Sequence, residues 1–439
     1  MGSELPRSGA VRLRHAIGVA GLLVACSGGT PPLAFDAARD VTAATSVGIA
    51  PMVTFSPAGR RAAAWVSAPQ GGTDGRLYVA LDDGPPVELR DSLGPIEGRS
   101  ESPPKLAFGS DGTLHAIYVV VKDVPEAKQP LEAIRYVRSA DGGTTWGAPV
   151  TVSHDGVFGA HSFHALHVMP SGNLVLSWLG GAAGEAGVWV THSTDQGATW
   201  ATETLVDGGT TCECCRTALA SAPDGTLYLA WRHVYPGNLR DIVVARSGDL
   251  GATWTAPQRV HADGWSFDGC PRAGPAIQVD AKGQVHVAWW TGKADAAGVW
   301  YAKSTDRGAT FGAPYALGVG KTSRPAHVQL GLTPDGGLLA VWDDGTASVS
   351  RILLRRATAG DTTFGTAQPL SAEGQSVANP VIAIRDGRVA VAWTEPPPAA
   401  PPKSEAAAPP GAAPAAGHMH RGIRAIGQGR VVLREARLP

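Results

Sequence analysis

An eight-residue pattern, Ser-x-Asp-x-Gly-x-Thr closed by an aromatic residue, occurs four times and constrains the architecture more than any other feature of the chain. The copies begin at Ser139, Ser193, Ser247 and Ser304, carry Asp141, Asp195, Asp249 and Asp306, and end on Trp146, Trp200, Trp254 and Phe311. Successive aspartates are 54, 54 and 57 residues apart. A period of that size marks a repeat architecture built from small supersecondary units. Each residue type suits a tight hairpin turn. The carboxylate and the hydroxyls can satisfy turn amides, and glycine accepts positive φ. The aromatic residue is expected to start the next strand and bury its ring between sheets. The pattern is therefore first a structural signal.

A second repeat persists where the first decays. It is a turn glycine followed by an alternating strand that ends on an aromatic residue. Its seven copies run from Gly59 to Trp65, Gly112 to Tyr118, Gly172 to Trp178, Gly225 to Trp231, Gly283 to Trp289, Gly336 to Trp342 and Gly387 to Trp393. Period-2 alternation after a turn glycine predicts a strand entered from a hairpin. Each unit fills out to four strands, A to D. In the second unit these fall at 105–109, 113–121, 133–139 and 149–153, with the Asp pattern as the C–D turn. The first unit places Asp82-Asp83-Gly84-Pro85 at that turn, and the sixth keeps only Gly360 to Phe364. In the seventh, strand C is expected at 421–426 and strand D at 430–434.

Radially repeated four-stranded units predict an all-β propeller of antiparallel blades spanning 49–437, with seven blades and six as the alternative. At 439 residues the chain exceeds the usual size of a single core, which a ring of repeats accommodates. Its 56 glycines and 34 prolines suit many short strands joined by turns. A net charge of −1 supplies no polyelectrolyte field, so nucleic acid is not an expected partner.

Residues 1–26 read as an export signal. Arg7, Arg12 and Arg14 form a basic region, and the apolar run from Ala16 to Ala25 falls far short of the roughly 20 residues that span a bilayer. The run ends Leu23-Val24-Ala25-Cys26, which resembles a bacterial lipobox. That resemblance implies a lipidated Cys26, with Ser27 directing the protein to the outer membrane. The chain would then work outside the cytoplasm, touching the membrane through its lipid. Residues 27–48 are expected to be a tether, with one strand closing the ring. A Pro/Ala-rich insertion at 395–417 interrupts the seventh blade and cannot bury a core.

Propeller connectivity sorts the remaining candidates. A–B and C–D turns share one face, so the Asp patterns lie there. B–C and D–A connections share the other face, near the mouth of the central channel. Cys212, Cys214 and Cys215 lead into strand A of the fourth blade, and Cys270 into strand A of the fifth, which brings the two loops together. Four cysteines in an oxidising compartment read most simply as two disulfides, one of them joining the cluster to Cys270. The alternative is a metal or redox site. The sequence names no cofactor outright, but thiolates with imidazoles suit copper or zinc. His161, His164, His418 and His420 would reach this face. The plainer reading makes His161, His164 and His167 strand and loop polars, and His418 and His420 the end of a solvated linker.

The Ser-x-Asp-x-Gly-x-Thr-Trp copies resemble the Asp box of the bacterial neuraminidase repeat (BNR) family, typified by sialidase propellers. Cys212 to Thr217 and Asp263 to Pro275 also look like a subgroup of that family with a C-x-C-C loop and a D-G-W…G-C-P segment. The likeness covers roughly 50–393. It implies a propeller, and for true sialidases a substrate carboxylate held by three arginines and attacked by a tyrosine. Arg216, Arg272 and Arg324 stand at or before three consecutive inner strands and would make a carboxylate site. No Tyr follows Tyr315, however, and no Arg-Ile-Pro-type motif lies near the first blade. The expectation is therefore an envelope-anchored, sialidase-like propeller. Its Cys- and Arg-bearing face would bind a ligand, an acidic glycan or an envelope protein, without an assigned catalytic residue. The alternatives are an exo-sialidase acting on acidic sugars and a metal or redox activity at the cysteines.

Overall fold

All seven glycine-led strands form, and each is the second strand of a four-stranded antiparallel sheet. The computed structural model describes residues 1–2, 32–45, 47–68, 72–127, 130–153, 158–181, 187–320, 326–345, 349–396 and 429–439. The seven turn glycines are left-handed, with φ between 74° and 86°. The aromatic residues that end these strands are the largest side chains in the core, no more than 1% exposed. A ring of this size is worth about 3–5 kcal/mol when fully buried, so each blade carries its own anchor.

The inner strands, A, are Ile49–Phe55, Lys105–Phe108, Ala160–Val168, Ala218–Ser221, Ala276–Val279, Ala326–Leu332 and Ala378–Arg385. Each contacts its neighbours in blade order, and the seventh returns to the first. The propeller therefore has seven blades. Among the described residues there is no helix long and apolar enough to cross a membrane.

The last blade differs from expectation. Arg430–Arg437 pairs with Arg388–Glu395 along its whole length, with Val432 opposite Trp393, and so is strand C rather than D. The D position is filled by Arg39–Asp40 from the other end of the chain, with Arg39 opposite Leu433. The tether thus supplies the closing strand. Two residues are too few to show alternation, which is why only their general location was readable. Glu395 still belongs to strand B. Residues 397–417 of the insertion, the segment 421–426, and His418 and His420 lie outside the described residues.

Ion pairs reinforce the closure. Glu435, on the last strand, accepts from Arg39 of the closing strand, from Arg61 of the first blade at 2.6 Å and from Arg388 of the seventh at 2.8 Å.

The Asp boxes are C–D turns built as their residues predict. Ser247 Oγ accepts from the Gly251 amide at 2.8 Å and donates to Asp249 Oδ1 at 2.7 Å. The Thr253 amide and hydroxyl donate to the two oxygens of the same carboxylate at 2.9 and 2.6 Å. The other three boxes repeat this pattern. One detail departs from expectation. The aromatic residue belongs to the turn, and strand D begins four residues later, at Val150, Thr204, Gln258 and Tyr315. Its ring still packs between blades: Trp200 lies edge-on to Tyr136 of the preceding blade, centroids 5.3 Å apart. The boxes also touch A–B turns of the preceding blade, Gln196 on Asp111 at 3.1 Å and Arg307 on Asp224, so the two kinds of turn share a face.

Hydrogen bonds from the threonine hydroxyl and amide and from the serine hydroxyl lower Asp195, Asp249 and Asp306 to about 2, from an ordinary 3.8. A carboxylate depressed on folding adds stability above its unfolded pKa and loses it as pH falls through the folded one. Asp249→Asn should therefore melt below wild type at neutral pH. The two melting curves should converge as pH drops from about 4 towards 2. A gap independent of pH would mean that the ionised carboxylate does not hold the turn.

Candidate functional site

At the face opposite the boxes the inner strands begin irregularly. Strand A of blades one, three, six and seven breaks register between Ile49 and Met52, Ser162 and Ala165, Ala326 and Gln329, and Ala378 and Val381. Within these breaks Ala50, Phe163, His327 and Asn379 are left-handed, with φ of 58°, 54°, 42° and 56°. Arg272, just before strand A of blade five, is left-handed as well, at 55°. A bulge bends the strand and re-aims the side chains that follow it. Left-handed backbone at residues other than glycine carries strain, and such strain gathers at functional sites. Here it recurs around one rim, where the inner strands start.

That rim is rich in cations. Lys105 opens strand A of blade two and is partly exposed. Among the described residues it has no hydrogen-bond or ion-pair partner. Burial, then the charge of Arg216, pushes Lys105 well below the usual lysine range. Arg216 is buried, and its Nη2 donates to the Val328 carbonyl at 3.2 Å. Its pKa is lowered by burial, while the more distant charges of Cys215, Asp343 and Glu101 oppose the shift. Among the described residues no carboxylate pairs with either Lys105 or Arg216. A Cβ on Gly274 would lie 2.2 Å from the Arg216 carbonyl oxygen, so the neighbouring loop can pass Arg216 only as glycine.

Around this pair, other groups are already partnered. Arg272 meets Glu101 at 3.3 Å. Arg99 bridges Glu97 and Glu132 and stacks 5.1 Å over Phe163. His327 Nδ1 lies 2.7 Å from Asp343, whose carboxylate also accepts from the Asn379 amide. Burial alone would lower His327, but the Asp343 charge outweighs it and the pKa rises. His164 is fully buried with neither ring nitrogen partnered. Burial, then the charges of Lys105 and Arg99, keeps it neutral.

The cysteines form a second cluster beside the first. Cys212, Cys214 and Cys215 are buried, with Cys212 Sγ 3.7 Å from Cys214 Sγ and 3.2 Å from Cys215 Sγ. The Cys212 amide donates to the Arg232 carbonyl, which ties the loop to strand B of its own blade. Arg240 Nη1 lies 3.2 Å from Cys212 Sγ. Hydrogen bonds from Cys214 and Cys215 favour the Cys212 thiolate, and in return the Cys214 thiol is pushed up. Cys215 is raised chiefly by burial. All four described cysteines are free thiols, and Cys270 is exposed and outside the group.

Of the three expected arginines, Arg216 is enclosed. Arg272 is half-exposed and paired, and Arg324 lies outside the described residues, as does Cys26. His161 Nδ1 donates to the Glu132 backbone carbonyl at 3.1 Å, and His167 Nε2 meets the Ser221 hydroxyl at 2.8 Å, so neither joins the sulfurs. Sequence reasoning missed Lys105, His327, Asp343, Arg232 and Arg240. The signal for the first two was their place at the start of an inner strand. On the box face, a cleft of about 400 Å³ is lined by Arg246, Trp254 and Arg307, but Arg307 is committed to Asp224.

The fold and its turns define a seven-bladed Asp-box propeller. The BNR repeat-like domain matches residues 97–264, the second to the fourth blade of this seven-bladed propeller. No curated protein matches it. Among solved structures it is similar to a protein of unknown function from Dyadobacter fermentans, at 17% identity and a TM-score of 0.51, covering 76% of this chain and 94% of that one. An ulvan lyase bound to -[GlcA(1-4)Rha3S]- is similar at 14% identity and a TM-score of 0.51, covering 83% and 91%. A Hadza microbial sialidase is similar at 15% identity and a TM-score of 0.47, covering 83% and 73%.

Proposed function

We propose that the protein is an envelope-anchored propeller that binds acidic glycans at the rim that carries Lys105 and Arg216. The observation that carries this reading is the pair itself, a lysine and an arginine whose charges act on one another and which, among the described residues, have no carboxylate partner. A carboxylate or sulfate on a sugar would supply the missing counter-charge through charge-assisted hydrogen bonds. The acidic polysaccharide named with the ulvan lyase has this chemistry, which agrees with the reading without deciding it. Binding is favoured over catalysis by two features. The seven tyrosines all lie on B, C or D strands, leaving no tyrosine on an inner strand. His164, a base that feels the charges of Lys105 and Arg99, is sealed from solvent.

Calorimetry with a polyuronate and with a neutral polysaccharide tests the proposal. Saturable binding of the acidic polymer alone is expected. Equal binding of both would sink the charge-based reading, and release of a fluorogenic sialoside would replace binding with hydrolysis. The basic region and the Leu-Val-Ala-Cys run support anchoring through Cys26 at the outer membrane. Metabolic labelling with a fatty-acid analogue should mark the protein and should fail for Cys26→Ala. Labelling that survives this change would remove the anchor.

A further inference from the structure

Two buried or partly buried arginines face the three clustered cysteines, and among the described residues neither has a carboxylate hydrogen-bonded to it. Arg232 is 1% exposed. Its guanidinium donates to the carbonyls of Arg240, Ala273 and Trp290, leaves Nε without an acceptor, and lies 5.4 Å over the Trp265 ring. Arg240 donates to the Phe267 carbonyl, to Asn238 and to Cys212 Sγ. A guanidinium held out of water needs an anion close by, or its desolvation goes uncompensated. The Asp241 carboxylate also acts on Arg232 but pairs with Arg259, and the sulfurs are the acidic groups that both arginines share.

We propose that Cys212, Cys214 and Cys215 form a trigonal thiolate site for one soft monovalent metal ion of the Cu(I) type. Their ligand atoms all lie within 4.8 Å of one another. Three sulfurs each about 2.3 Å from a common ion would be about 4 Å apart, so only small side-chain adjustments separate the present cluster from a filled one. Among the described residues no His, Asp or Glu joins the group. Structural zinc takes four ligands, whereas soft thiolates select Cu(I) without needing a fourth. Charge points the same way. Three thiolates and one monovalent ion leave two negative charges, matched by Arg232 and Arg240. A divalent ion would leave the two arginines in excess. The site lies directly before Arg216 in sequence, so a bound ion would also fix the loop that presents that arginine.

The test uses full-length protein, reduced and kept anaerobic, titrated with Cu(I) against a chromogenic Cu(I) chelator. One ion per chain is expected. Cys212→Ser, Cys214→Ser and Cys215→Ser should each lose that binding, while Cys270→Ser should keep it. X-ray absorption of the copper-loaded wild type should show three sulfur neighbours, a result that needs no variant to fold. The proposal is overturned by nitrogen or oxygen ligands in that spectrum. Undiminished binding by Cys214→Ser, displacement of copper by equimolar zinc, or a Cys212–Cys215 disulfide that persists after reduction and copper loading would overturn it as well.

Discussion

Glu435→Ala is expected to destabilise the propeller by about 3 kcal/mol, read as a lower urea midpoint with an unchanged slope. The carboxylate is 14% exposed and joins three elements that sequence keeps far apart: the closing strand through Arg39, the first blade through Arg61 and the seventh through Arg388. Arg61 is 2% exposed, so removing its buried partner leaves a desolvated guanidinium whose remaining carboxylate, Asp83, is largely in solvent. Breaking one side of such a pair costs more than the pair contributes, because the orphaned charge stays buried. Glu373→Ala is the control. Glu373 is 90% exposed and sits 4.0 Å from Arg351, a geometry worth little in water. Equal shifts for the two variants would mean that the ring is closed by backbone pairing and apolar packing alone.

The repeat was legible because each of its parts is local. A turn glycine, an alternating strand and a terminal aromatic residue lie within seven positions, and the structure uses all seven copies as written. The Asp boxes are equally local, since Ser247, Asp249, Gly251 and Thr253 satisfy one another inside a single turn. What connects distant parts of the chain was harder to see. The closing strand Arg39–Asp40 has no pattern of its own, and only its pairing with Leu433 and Val432 defines it. At the rim, Arg216 was visible as an arginine beside an inner strand. Lys105 looked like any strand lysine, because its unusual environment depends on a residue more than a hundred positions away. The bulges that aim this rim leave no mark in sequence. Ala50, Phe163, His327 and Asn379 have no side-chain chemistry in common, only the same place in the fold.

Arg216→Ala and Lys105→Met should each weaken binding of a polyuronate by about thirtyfold or more, the loss expected when one partner of an enclosed charge pair is truncated. Arg272→Ala should change it far less, because that side chain is half-exposed and already paired with Glu101. The two rim variants should differ in their response to pH. Burial and the Arg216 charge depress Lys105 in the free protein. An arriving carboxylate favours the protonated amine, so binding takes up a proton and wild-type affinity should rise as pH falls towards the depressed value. Above the ordinary carboxylate range the ligand keeps its charge, so the trend belongs to the protein. Lys105→Met should flatten it, whereas Arg216→Ala should bind weakly yet keep a pH dependence. Calorimetry in buffers of different ionisation heat reads the proton directly. If Lys105→Met bound as tightly as wild type and took up as much proton on binding, the rim cations would not be the ligand site.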